Sequence, residues 1–181
     1  MEDTTDWNEE VEAWRKAFDR SFALPATLGS RAVEKCRLLV IEVAGRRCAF
    51  DVATLGGLLS IPRIVPVPSP LPEFLGIVSA RGVLTPVYSL AALLGWEHAN
   101  EVTHKLILCP SPENLALATG TVLGYEERAP GELMNFQDTD HAGRAIVGAM
   151  AMADGTRIPI LGLGQLVRYL GARIRAAKES R

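Results

Sequence analysis

Gly82-Val-Leu-Thr-Pro86-Val-Tyr-Ser-Leu90-Ala-Ala-Leu93-Leu94 can be laid over Gly155-Thr-Arg-Ile-Pro159-Ile-Leu-Gly-Leu163-Gly-Gln-Leu166-Val167 without a gap. The offset is 73 throughout; Gly, Pro and both leucines coincide, and Val87 falls on Ile160. Each copy reads the same way. A turn glycine starts a strand, a proline interrupts it, and two leucines three apart open a helix, closed in the first copy by Gly95. Internal self-similarity of this kind marks a duplicated structural unit.

The surrounding sequence repeats in the same order: hairpin, crossover, hairpin, helix. Leu38–Val43 and Arg47–Val52 flank Ala44-Gly45-Arg46, and Leu75–Ala80 and Val83–Tyr88 flank Arg81-Gly82. In the second copy, Lys105–Cys109 and Leu115–Ala118 flank Pro110–Asn114, Thr121–Tyr125 is a further strand, and Ile146–Met152 and Arg157–Leu161 flank Asp154-Gly155. Residues 52–59 read as a short helix or turn, weakened by Gly56-Gly57, and residues 129–145 as a polar loop with one helical turn after Pro130. Two related β subdomains, about 37–95 and 103–167, follow. Sets of about five short strands bury their faces poorly alone, so each is expected to close into a small barrel and pack on the other.

Three segments lie outside the repeated strands. Pro62, Pro66, Pro68, Pro70 and Pro72 remove ladder donors, so this stretch is expected to cross the surface extended, with Val65, Val67 and Leu71 packing down. As an alternative, such a segment serves as a ligand for a proline-reading domain. Trp7, Val11, Trp14, Phe18 and Phe22 line one face of an N-terminal helix, with Asp6 as N-cap and Pro25 as stop, and 25–36 reads as a linker. Leu163, Leu166, Val167, Leu170 and Ile174 give a C-terminal amphipathic helix with a basic outer face, whose end occupies residues 171–181.

One turn breaks the local rule. Asp154-Gly155 has the preferred chemistry of a tight hairpin, whereas Arg81 is a poor choice where both turn residues need positive φ. Positions that break a rule are candidates for function, the alternative being a longer loop that tolerates Arg.

The run Gly76-Ile-Val-Ser-Ala-Arg81-Gly82-Val-Leu-Thr-Pro86-Val-Tyr-Ser-Leu90, following the proline-rich crossover and Phe74-Leu75, resembles the CheW-like family hallmark G-V-x-N-L-R-G-x-x-x-P-V-x-D-L. The resemblance spans about residues 37–170. It implies a mostly β fold of two tandem five-stranded SH3-like barrels and a non-catalytic adaptor. Such an adaptor joins the chemoreceptor cytoplasmic tip to the regulatory domain of a CheA-type histidine kinase. Carried over residue by residue, it makes Arg81 and Gly82 the motif pair, Gly76 the motif Gly beside the kinase-docking surface, and Leu55 part of a receptor-facing groove. Two departures stand out: the motif Asn is lost at the pair Ser79-Ala80, and the motif Asp is Ser89. They raise the alternative of a divergent scaffold in a non-flagellar chemosensory pathway.

Composition fits a globular protein and argues against disorder. The chain has 181 residues, 48% hydrophobic and with net charge −2. It is long enough to bury roughly 70% of its unfolded surface. No overall field favours nucleic acid or a membrane. Acids crowd the first twelve residues (Glu2, Asp3, Asp6, Glu9, Glu10, Glu12), and bases crowd the end (Arg168, Arg173, Arg175, Lys178, Arg181). Cys36, Cys48 and Cys109 are scattered, which suits a reducing compartment and gives no zinc spacing. With no leader-like start and no apolar run near the roughly 20 residues that span a bilayer, a cytoplasmic protein is expected. Chemistry is sparse: no H-E-x-x-H, G-x-S-x-G or Walker pattern occurs, and Gly162-x-Gly164 lacks its third glycine. Asp138, Asp140 and His141 are the only metal-like grouping, the basis of a distant small-enzyme alternative using loop 135–145; His98 and His104 stand alone. No cofactor and no metal are expected.

Overall fold

A computed structural model describes residues 35–60, 63–96, 105–110, 112–135 and 145–179, with Asn135 described by its backbone. Residues 34–181 form one compact unit. The expected N-terminal helix lies outside the described residues. The elements in chain order are β1 (Cys36–Val43), β2 (Arg46–Asp51), a 3-10 turn (Val52–Thr54), β3 (Gly57–Ser60), β4 (Phe74–Ala80), β5 (Val83–Ser89) and α1 (Leu90–Leu94). They continue with β6 (Lys105–Leu108), β7 (Ala116–Thr119), β8 (Thr121–Arg128), a 3-10 turn (Pro130–Glu132), β9 (Leu133–Asn135), β10 (Ile146–Ala151), β11 (Arg157–Leu161) and α2 (Leu163–Glu179). The order of elements repeats as the sequence implies; β3 is an addition within the stretch 52–59 expected to be a short helix or turn, of which only Val52–Thr54 is helical, and β9 is an addition within the stretch expected to be loop.

The sheets do not follow the two halves of the repeat. One sheet has the order β8-β1-β2-β11-β10-β9 and the other β3-β6-β7-β5-β4. Hairpin β1–β2 of the first copy therefore sits among strands of the second, and hairpin β6–β7 of the second among strands of the first. The joins are the parallel pairs β2·β11 (Ala49 opposite Ile160) and β5·β7 (Val87 opposite Ala116). The expected tandem subdomains 37–95 and 103–167 are thus exchanged rather than consecutive, and the first sheet has six strands because β9 adds to β10. The reason lies in β1. Its run Leu38-Leu39-Val40-Ile41 is buried at every position, so the hairpin has two faces to cover and belongs in the middle of a sheet.

Three apolar cores result. Leu38, Val40, Ala49, Met150, Ile158 and Ile160 fill one face of the six-stranded sheet. Val78, Ala80, Val87, Leu106, Leu108, Ala116 and Ala118 fill one face of the five-stranded sheet. The opposite faces meet in a shared third core, where Leu39, Ile41 and Phe50 join Tyr88, Ile107 and Leu117. Leu90 and Leu93 of α1 and Leu163, Leu166 and Leu170 of α2 enter the same core, which accounts for the repeated leucines. Arg173 of α2 adds an ion pair to Glu73 at 2.6 Å, the Glu73 side chain being 6% exposed, and its Nη1 donates to Tyr169 Oη at 3.4 Å.

The proline crossover, described from residue 63, touches the sheet at one point and turns at residues 71–74, where the Phe74 N–H donates to Leu71 O at 3.1 Å. Val65 exchanges two backbone hydrogen bonds with Ile77 (2.8 and 2.9 Å), and Leu71 reaches the shared core. Val65 and Val67, expected to pack down, are 51% and 41% exposed. Alternating prolines deny the segment the ladder donors that would draw it into the sheet. Among the described residues no helix is long and apolar enough to cross a membrane.

Candidate partner-binding groove

The β4–β5 connection is a tight two-residue turn, as is the β1–β2 connection, where Val43 pairs with Arg46 across Ala44 (φ 50°) and Gly45 (φ 73°). Ala80 pairs with Val83, leaving only Arg81 (φ 51°) and Gly82 (φ 81°) between the strands, the backbone of a type I′ turn. Holding an L-residue other than Gly, Asn or Asp in this left-handed region costs about 1 kcal/mol. The Asp-Gly copy is the looser one. Ala151 pairs with Arg157 across five residues; only Gly155 (φ 80°) has positive φ, and Asp154 Oδ1 accepts from the Thr156 N–H at 2.8 Å. That hydrogen bond holds the Asp154 carboxyl below its usual range. The sequence expectation is therefore reversed for Asp154-Gly155 and met for Arg81-Gly82, where a strained arginine occupies a true two-residue turn.

The Arg81 side chain folds back over β3. Its Nη2 lies 2.7 Å from where a Cβ on Gly57 would sit, so glycine at 57 makes room for the guanidinium. Gly57 (φ 144°) opens β3 opposite Leu108, and the Gly56 N–H donates to Leu108 O at 2.8 Å. A groove of about 390 Å³ opens beneath Arg81, walled by Val83, Thr85, Leu108, Pro110 and Asn114. Because Ala80 and Leu108 belong to the core of the five-stranded sheet, the groove is the open end of that core. Cys109 also lines it; burial first, and the Glu113 carboxylate second, push its thiol up to about 12, so it serves as a small apolar wall rather than a nucleophile. Beside the turn, Val83 and Leu84 are 55% and 71% exposed.

The four sequence-selected residues separate into two places. Arg81 and Gly82 form the turn, and Leu55 lies two residues before Gly57, its side chain half-buried against the shared core. Gly76 lies apart, buried near the start of β4, with φ 138°. A side chain there would overlap the Val65 carbonyl, so Gly76 seats the crossover. Ser89, at the motif Asp position, caps α1: its Oγ accepts from the Ala92 N–H at 3.2 Å. Ser and Asp cap helices about equally well, so this departure preserves the local structure.

Sequence reasoning missed Val83, Leu84, Pro110 and Asn114 as neighbours of Arg81. Pro110 and Asn114 are brought to the turn by non-local strand pairing, β5·β7 and β3·β6. Asn114 (φ 43°) was legible as a turn residue but not as a wall. Asp138, Asp140, His141, His98 and His104 lie outside the described residues. Among the described residues no group of three or more His, Cys, Asp or Glu is placed to hold a metal ion.

The fold is an exchanged pair of β-sheets, and one of them carries an exposed groove with mostly apolar walls and one cation, Arg81. Residues 37–170 match the CheW-like domain model, and the chain belongs to that family. The fold agrees with the crystal structure of a scaffolding protein, TtCheW, from Thermoanaerobacter tengcongensis: TM-score 0.65, 16% identity, covering 72% of this chain and 91% of that one. No curated protein gives a significant sequence match.

Proposed function

We propose that the chain is a non-catalytic cytoplasmic adaptor that couples a chemoreceptor cytoplasmic tip to the regulatory domain of a CheA-type histidine kinase. The observation that carries this reading is the Arg81-Gly82 turn. Within a CheW-like domain, the chain holds an arginine in a left-handed turn, beside two exposed apolar side chains and over an open groove. The turn closes the hairpin as Ala44-Gly45 closes β1–β2; what is particular to it is an exposed arginine with no ion pair among the described residues, set beside exposed Val83 and Leu84, a group suited to a partner. In this reading Gly82 serves the partner site by shaping the turn, Leu55 is assigned to the receptor-facing surface on the family resemblance, and Gly76 acts indirectly by seating the crossover. In this reading each sheet is one SH3-like barrel, and the receptor and the kinase engage different parts of the pair.

Bridging is tested by size-exclusion chromatography of receptor-tip fragment, kinase regulatory domain and this chain. All three are expected to co-elute, and the first two to separate when the chain is left out. Elution of the chain apart from both partners at micromolar concentrations refutes the adaptor reading.

A further inference from the structure

We infer that the groove beneath Arg81 takes a carboxylate side chain flanked by apolar residues, an acidic anchor donated by the partner; the inference rests on the docking reading of this groove. Arg81 is exposed and has no ion pair among the described residues. The position its guanidinium covers within the chain is Gly57, which offers no side chain at all. The groove walls contain one cation and no acid. A carboxylate entering the groove would meet an uncompensated guanidinium with a fixed donor fork, while Val83, Leu108 and Pro110 take up apolar neighbours.

The walls also select among anions. A phosphate is usually held by several donors, by a cluster of bases or by a helix N-terminus. Here a single arginine stands among apolar walls, with Thr85 5% exposed and its hydroxyl already donating to Val83 O at 3.3 Å. One guanidinium and apolar sides match one carboxylate on a peptide. The turn leaves two residues between paired strands, so the backbone that carries the arginine is already fixed before binding.

The test uses the full ¹⁵N-labelled chain and three probes: Ac-Leu-Glu-Leu-NH2, Ac-Leu-Gln-Leu-NH2 and inorganic phosphate. The Glu peptide is expected to shift the Arg81 Nε–Hε and Gly57 amide resonances, and the Gln peptide to bind at least about fivefold more weakly. Arg81→Gln should abolish the difference between the two peptides. Asn114→Asp is isosteric and tolerates the same left-handed backbone; it places a competing carboxylate in the groove and should weaken the Glu peptide by about the same factor, with thermal unfolding unchanged. Equal binding of the two peptides, larger shifts with phosphate, or no shift at all overturns the inference. The kinase regulatory domain is titrated separately, so loss of the adaptor reading and loss of the carboxylate anchor give different results: peptide binding without domain binding removes the former, and domain binding without Glu selectivity removes the latter.

Discussion

Gly76→Ala tests whether the crossover is seated by the missing side chain. A Cβ at position 76 would overlap the Val65 carbonyl and lie 2.9 Å from Pro66 Cα. The obstacle is backbone, held by Val65 N–H to Ile77 O (2.8 Å) and Ile77 N–H to Val65 O (2.9 Å), so it cannot move without losing both bonds. Each is worth about 1 kcal/mol net. Placing alanine at φ 138° adds strain of roughly 1–2 kcal/mol. The total is about 3–4 kcal/mol, a large part of the roughly 5–15 kcal/mol by which domains are stable. For a domain of this size that lowers Tm by about 10 °C. The assay is thermal unfolding followed by circular dichroism, with hydrogen exchange read at the amides of Val65 and Ile77. A Tm within about 2 °C of wild type, or unchanged protection at those two amides, refutes the reasoning.

Three further predictions address the fold. Arg173→Ala leaves Glu73 buried without its cation and should cost about 2–3 kcal/mol, reduced from the fully buried case because Arg173 is 39% exposed; Glu73→Leu with Arg173→Met should recover most of it in chemical denaturation. Cys109 titrates near 9 when unfolded and near 12 when folded, so above pH 9 the unfolded chain gives up a proton that the native chain keeps. Stability should therefore fall as pH rises from about 9 towards 12, by at most about 1.4 kcal/mol per pH unit, with Tyr88, raised by burial, adding in the same sense; Cys109→Ala should flatten the Cys109 part, as read from urea midpoints across pH. Residues 37–95 expressed alone should show no cooperative unfolding and no dispersed amide spectrum, because β1–β2 and β3–β5 belong to different sheets, and a folded fragment would contradict the exchanged topology.

Much of this was legible in the sequence. Periodicity and turn chemistry located most strands, and the alignment of Gly82, Pro86, Leu90 and Leu93 with their counterparts found the duplicated order of elements. Partner choice between strands was not legible. Local signals report hairpins, in which neighbours pair, and say nothing of the parallel β2·β11 and β5·β7 joins that exchange the copies. β9 was missed because three residues carry too little alternation to stand out. Arg81 was singled out correctly as a rule-breaking turn residue, yet the turns were ranked the wrong way round. Asp-Gly supports a tight hairpin but does not impose one, and at 152–156 the chain forms a wider loop closed by Met152 N–H to Thr156 O at 2.8 Å. The groove walls escaped notice for the same reason as the exchange: Pro110 and Asn114 reach Arg81 only through non-local pairing.

Isothermal titration of the chain and of Arg81→Glu against the kinase regulatory domain and the receptor tip tests the central claim most directly. The account predicts that Arg81→Glu weakens at least one complex tenfold or more, about 1.4 kcal/mol, while its Tm stays nearly unchanged, because Glu keeps the same backbone strain and the guanidinium has no ion pair among the described residues to lose. Wild-type affinity of Arg81→Glu for both partners contradicts it.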